Sequence, residues 1–266
     1  MPSACPTNTE SPRGSAAITA CKAIAGNHHN GADYGTPAYT CPAGSYCPAA
    51  AVSPTPCPDN TASVDGSSVL LACHAIAGYY GPYGTAAVIC PKDSYCPAES
   101  ISPRSCPPNT QTDAEGSSAV TDCKSVPGYS GPYGSTAVQC PRDTYCVAAS
   151  LAPSPCPPNT FAPAGNADVM NCHAKAGFFG PFGSAADPCL QDNYCPSEAT
   201  NPTPCPSFEG TQPQSARVTD CTSMAGYYGQ PGHLGPIGPS RCYCPHYTAQ
   251  SPDSFSLRRI VVISLV

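Results

Sequence analysis

The chain has 266 residues and a net charge of −6, with 11 Lys and Arg against 17 Asp and Glu; the longest basic run is Arg258-Arg259, so the positive footprint that phosphate backbones require is missing. Gly contributes 23 residues and Pro 35, Phe only 6 and Trp none, which excludes a conventional hydrophobic core and would ordinarily describe a disordered polymer. The 20 cysteines reverse that reading.

They fall in five sets of four. The first of each set, Cys5, Cys57, Cys106, Cys156 and Cys205, recur about every fifty residues, which marks a tandem array of small units rather than one globular domain. In chain order these are repeat 1 (residues 1–56), repeat 2 (57–105), repeat 3 (106–155), repeat 4 (156–204), an atypical repeat 5 (205–250) and an unrelated tail (251–266). Units of this size rarely stand on a core alone. The expected fold class is small disulfide-rich repeats, mostly coil and turns with short antiparallel β pieces, in an elongated tandem array.

Repeat 3 illustrates the unit. Cys106-Pro-Pro-Asn-Thr opens it, and two prolines beside the cysteine forbid helix. Asp113 to Ser118, centred on Gly116, predicts a turn before Asp122-Cys123 closes a first loop, with Asn and Gly supplying local side-chain bonds and positive φ. Gly128-Tyr-Ser-Gly-Pro-Tyr-Gly134 follows. It recurs as Gly78-Tyr-Tyr-Gly-Pro-Tyr-Gly84 and Gly177-Phe-Phe-Gly-Pro-Phe-Gly183, a tight turn whose rings are expected to lie over neighbouring half-cystines. Phe for Tyr throughout repeat 4 points to packing rather than hydroxyl recognition. Cys140-Pro-Arg-Asp-Thr-Tyr-Cys146 matches Cys90-Pro-Lys-Asp-Ser-Tyr-Cys96, and no stretch has sustained helical periodicity.

Several chemistries lack their residues. There is no Cys-x-x-Cys and a single Cys-x-Cys, at Cys242 and Cys244; His28-His29 is an isolated pair, and His74 and His173 directly follow cysteines, so no zinc site is expected. Gly-x-Ser-x-Gly, His-Glu-x-x-His and phosphate-binding Gly loops are absent, and no enzymatic activity or cofactor is expected. Asn60, Asn109 and Asn159 precede Thr directly and Asn201 precedes Pro, so N-glycan acceptors are missing; Ser and Thr beside Pro remain candidates for O-linked sugars. No signal peptide is visible before Cys5, and Leu257–Val266 ends in an apolar tip far shorter than the ~20 residues of a spanning helix. The chain is expected to be a fragment that meets a membrane only through segments outside it.

The Cys-Pro-x-Asn-Thr openings, the Gly-Ser-Ser before the second cysteine and the Cys-Pro-x-x-x-Tyr-Cys segment resemble ephrin-receptor-like cysteine-rich repeats of extracellular proteins, over residues 5 to about 245. More distantly they are similar to modules of tumour necrosis factor receptors. Cys123-Lys-Ser125-Val-Pro-Gly128-Tyr-Ser-Gly131 is similar to the end of an EGF-like module, with Ser125 where that module has Cys; Ala23, Ala75, Ala174 and Ser223 fill the same slot.

Four cysteines allow three connectivities per repeat. The likeness to tumour necrosis factor receptor modules implies a first-loop disulfide in each: Cys5 with Cys21, Cys57 with Cys73, Cys106 with Cys123, Cys156 with Cys172 and Cys205 with Cys221. Pairing of the other half-cystines, Cys41, Cys47, Cys90, Cys96, Cys140, Cys146, Cys189, Cys195, Cys242 and Cys244, stays open. Within-repeat bonds such as Cys90 with Cys96 compete with cross-repeat ones, because Cys242 and Cys244 are too close for an easy bond. What the resemblance implies is a non-enzymatic spacer, adhesion or receptor-ectodomain segment, extracellular or on the cell surface, facing an unknown protein or glycan ligand. The rival reading is a thiol-rich metal-binding protein.

Overall fold

The computed structural model describes residues 4–207 and 209–224. Among them every sheet is a two-stranded antiparallel ladder and every strand is two residues long. The chain divides into two compact units. The first runs to His173 and includes Phe182–Ser184, and the second takes Ala174–Pro181 and the residues from Ala185 on.

Three hairpins make one repeat. In repeat 2, Thr61–Ala62 pairs with His74–Ala75, Tyr79–Tyr80 with Val88–Ile89, and Ser94–Tyr95 with Arg104–Ser105. The first hairpin brackets the long disulfide loop, and a single 3-10 turn, Leu70–Ala72, delivers its second cysteine. In repeat 3 that turn, Val120–Asp122, is held by the Asp122 carboxylate, which accepts from the Ser118 and Ala119 amides at 2.9 Å each. Ladders this short are not stable on their own in water. They persist here because covalent bonds tie their ends.

Nine disulfides are present in the described residues. Five close the first loops, Cys5–Cys21, Cys57–Cys73, Cys106–Cys123, Cys156–Cys172 and Cys205–Cys221. Four close turns six residues apart: Cys41–Cys47, Cys90–Cys96, Cys140–Cys146 and Cys189–Cys195. All lie within a repeat. Cys242 and Cys244 lie outside the described residues.

The apolar part of the interior consists of sulfur and methyl groups, with mostly small polar side chains and His29 buried beside them. Every buried apolar residue is Cys or Ala, while large apolar side chains face solvent: Val64 is 77% exposed, Val138 70% and Leu71 65%. Ala23, Ala75, Ser125 and Ala174, which occupy the slot of the missing EGF cysteine, are all buried. A third sulfur there is replaced by a side chain small enough to sit against the existing bridges.

The opening motif has a structural explanation. Its Asn takes a left-handed φ, 58° at Asn60 and 61° at Asn109, a conformation Asn tolerates better than most residues. The same side chain reaches across the repeat, Asn60 Nδ2 donating to Ala87 O at 3.1 Å and Asn109 Nδ2 to Ala137 O at 3.0 Å. The following Thr110 donates its hydroxyl to Pro107 O at 2.6 Å. Cys-Pro-x-Asn-Thr is thus a folded corner with both polar side chains satisfied internally.

Adjacent repeats meet through backbone. In the first unit the Cys90–Cys96 turn is bonded on one face to its own aromatic segment, Gly78 N donating to Cys96 O at 2.9 Å and Cys90 N to Gly78 O at 2.8 Å. Its other face is bonded to the next repeat, Gly116 N donating to Cys90 O at 2.8 Å and Cys96 N to Ser117 O at 2.9 Å. The Cys41–Cys47 turn repeats the pattern with Gly26, Gly66 and Ser67, and the Cys140–Cys146 turn with Gly128, Gly165 and Asn166. In the second unit Gly177, Gln214 and Ser215 hold the Cys189–Cys195 turn the same way.

These contacts demand glycine on one side. Gly128 has φ +85°, and a Cβ there would lie 2.5 Å from Gly165 O across the junction. Gly44 also has positive φ, +76°, but its Cβ would meet nothing within 4 Å. Gly44→Ala is therefore expected to cost about 1 kcal/mol, the left-handed penalty alone, whereas Gly128→Ala adds a backbone collision and should cost ~3 kcal/mol or more. Equilibrium denaturation of the two oxidised variants reads the difference; equal costs would show that the junction does not press on Gly128.

The two disulfide classes give a second prediction. Loop entropy alone assigns ~3 kcal/mol to the first-loop bonds and ~2.4 kcal/mol to the six-residue ones. Because the small turn also holds two repeats, replacing Cys140 and Cys146 by Ser is expected to destabilise at least as much as replacing Cys106 and Cys123. Hydrogen exchange should show the Gly128 and Gly165 amides released together.

Candidate functional site

In repeats 1, 2 and 4 the residue after the second cysteine of the first loop lies against the last ring of the aromatic turn. His74 stacks on Tyr83 with centroids 4.1 Å apart and 28° between planes, and His173 on Phe182 at 4.3 Å and 24°. In repeat 1 the Lys22 ammonium sits 5.9 Å from the Tyr34 centroid, at the outer range of a cation–π contact. The aromatic turn therefore rests on the residue following the half-cystine. Phe182 serves where other repeats have Tyr, so the stacking needs no hydroxyl, although Tyr133 uses its own to donate to Ala149 O at 3.2 Å.

Charges near these stacks come in pairs. His74 Nδ1 is 3.5 Å from Glu99 Oε1. Lys124 Nζ is 2.5 Å from Asp113 Oδ2, and this hydrogen bond, followed by the attraction of the Asp113 charge, raises the Lys124 pKa above its ordinary value. Because the folded value is raised, the pair's contribution is complete below the ordinary lysine range and fades only as pH climbs through it. Around neutral pH the Lys124 side of this pair therefore gives stability no pH dependence.

The histidines do not converge. His28 Nδ1 lies 2.8 Å from His29 O, His74 and His173 are occupied by their rings, and no group of three or more His, Cys, Asp or Glu with metal-binding geometry exists among the described residues. The eighteen described cysteines are all in disulfides, so none is a thiolate ligand.

His29 is the unusual member. It is fully buried, its ring meets Tyr34 edge-on at 5.5 Å and 84°, and neither ring nitrogen has a hydrogen-bond partner. It stands where the other aromatic turns place Gly81, Gly131 and Gly180, with the corresponding backbone bond from His29 N to Ala51 O at 3.0 Å. Sequence reading saw the His28-His29 pair but had no signal for its burial.

Two concave surfaces stand out among the described residues. In the first unit a groove of 610 Å³ runs between Val64, Ala72, Ile76 and Ala98, with His74 and Glu99 at its rim. In the second a more polar cleft of 380 Å³ is lined by Gln191, Asp192, Thr211, Gln212, Asp220 and Thr222. What these surfaces offer a partner is shape, exposed apolar side chains on rigid loops, and backbone.

No protein-family model matches the chain, and no curated protein matches it. No helix among the described residues is long and apolar enough to cross a membrane.

Replacing a buried, unpartnered polar ring by an apolar one of similar shape removes a desolvation penalty. His29→Phe is expected to raise stability by about 1 kcal/mol, read as an upward shift of the thermal midpoint of the oxidised protein. A loss of stability for this variant together with a loss for the smaller His29→Leu, which excludes overpacking, would mean that the imidazole has a partner, such as a bound water.

Proposed function

We propose that this chain is a non-enzymatic segment of an extracellular or cell-surface protein, acting as a disulfide-stapled spacer, adhesion or receptor-ectodomain module that holds distance and presents loop surfaces to a protein or glycan. One observation carries the reading: among the described residues the apolar part of the interior is built solely of half-cystines and alanine. Such an interior has little hydrophobic driving force, so the fold needs its bridges, and bridges persist in oxidising compartments. Exposed apolar side chains on the hairpins, such as Val88 and Val138, supply contact surface without serving the interior. The likeness of the Cys-Pro-x-Asn-Thr and Cys-Pro-x-x-x-Tyr-Cys motifs to ephrin-receptor-like repeats supports the same class.

The test is a thiol count on native material denatured without reductant. The expected result is no free thiol among the eighteen described cysteines, so that at most Cys242 and Cys244 react. Abundant thiols protected only by a chelatable metal would overturn the reading in favour of a metal-binding protein. Reduction should abolish the fold as a whole, seen as loss of amide protection at Gly78, Gly128 and Gly177 together.

A further inference from the structure

The junctions among the described residues are four copies of one contact. A turn of the form Cys-x-x-x-x-Tyr-Cys, closed by its own disulfide, seats on the first loop of the following repeat. The seat has three recurring positions. The residue six after the first cysteine is Ser63, Thr112, Ala162 or Thr211; it is buried in every case and bonded to the turn. Ser63 Oγ donates to Ser45 O at 2.6 Å, Thr112 Oγ1 accepts from Asp93 N at 2.8 Å, and Thr211 Oγ1 donates to Asn193 O at 2.8 Å. At Ala162 the backbone serves, its carbonyl accepting from Asp143 N at 2.9 Å. Next comes a left-handed residue whose amide donates to the first cysteine of the turn: Gly66, Gly116, Gly165 or Gln214. The residue after it accepts from the amide of the turn's last cysteine.

Repeat 1 carries the same seat, built and open. Its positions are Ser11, Gly14 and Ser15, all exposed. Gly14 has φ +86° against +75° at Gly66. Ser15 donates its amide and hydroxyl to Pro12 O at 3.2 and 2.7 Å, as Ser67 does to Val64 O at 3.3 and 2.7 Å. The bracketing hairpin and the Cys5–Cys21 bridge are in place. Pro12 stiffens this seat where repeat 2 has Val64, which lowers the ordering cost of binding. A Cβ added at Gly14 would meet no atom within 4 Å, so its approach is unobstructed.

We propose that the Ser11, Gly14 and Ser15 face is a docking surface for the disulfide-closed Cys-Pro-x-x-x-Tyr-Cys turn of another repeat of this kind. The four such turns in the described residues are each seated on their own successor, so a second copy of those residues has no free turn to offer. The occupant is therefore the closed turn of a repeat outside them. Recognition is by backbone pairing, which makes the surface specific for the closed turn and tolerant of the side chains at its three variable positions. This surface follows from module geometry and is independent of the spacer reading, because it requires no particular location or ligand.

The test extends the full chain by one repeat, with a second copy of residues 57–105 joined directly ahead of Cys5 so that the natural Ser105-Cys106 step is preserved. Gly14 amide exchange should slow at least tenfold relative to the unextended chain and approach that of Gly66. Replacing the added copies of Cys90 and Cys96 by Ser should abolish the protection. A second measurement adds the synthetic, disulfide-closed peptide of residues 90–96 to the unextended chain, and its saturable displacement of the Gly14 and Ser15 amide resonances, absent with the diserine peptide, is the expected result. If the added repeat forms both its disulfides and Gly14 still exchanges freely, the proposal is overturned. If the added repeat does not oxidise and the closed peptide moves neither resonance, it is overturned equally.

Discussion

The structure depends on the short disulfide turn, whose cysteines are six positions apart, and the backbone bonds on its two faces. In repeat 2, Cys90 and Cys96 bond to Gly78 on one side and to Gly116 and Ser117 on the other, and both cysteines are fully buried. Bridge and hydrogen bonds therefore support each other. The bridge removes the freedom the turn would otherwise have in the unfolded chain, and the sulfur atoms exclude water from amide bonds worth little in full solvent contact. Each repeat contributes a closed loop and a seat, and neighbours complete each other, the energetic form of a one-dimensional array.

An interior of this kind tolerates few changes inside and many outside. Ala75, Ala87 and Ala137 are buried, where an added methylene has to displace packed neighbours. Outside, Val64, Leu71 and Val138 are exposed without strain on the fold, since the interior never depended on them. Loop surfaces are free to diverge while the frame stays constant, the condition under which a repeat array acquires different partners from one scaffold.

Much of this was legible because cysteine, glycine and proline act through covalent and steric rules that do not need tertiary context. The fifty-residue period, the hairpin character and the turn at Gly116 follow from such rules. What escaped reading was carried by backbone. The seat formed by Gly66 and Ser67 has no side-chain chemistry to announce it, and Asn60 and Asn109 looked like glycan-acceptor failures rather than the braces within their own repeats that they are. The slot at Ser125 read only as a lost EGF cysteine; its burial and its bond to Ser150 O at 2.9 Å come from a corner that the sequence pattern does not display. His29 escaped for the opposite reason: a polar residue is expected outside unless paired.

The asymmetry of the junction explains which of its two glycines is replaceable. On the turn-facing side Gly78 and Gly128 approach the carbonyls of Gly116 and Gly165 so closely that any Cβ would overlap backbone. On the seat side a Cβ at Gly116 would meet only the Ile89 side chain at 3.6 Å, and the functional atom is the amide. Repeat 5 makes the permitted change: Gln214 adopts φ +66° in place of glycine and still donates to Cys189 O at 2.9 Å. Its cost is the ~1–2 kcal/mol of a left-handed non-glycine residue, with no collision added. Gly177, facing Gln214 O, remains glycine. The rule that emerges is steric rather than chemical: a seat is defined by an available amide in left-handed backbone, and the turn that enters it by the absence of a side chain behind it.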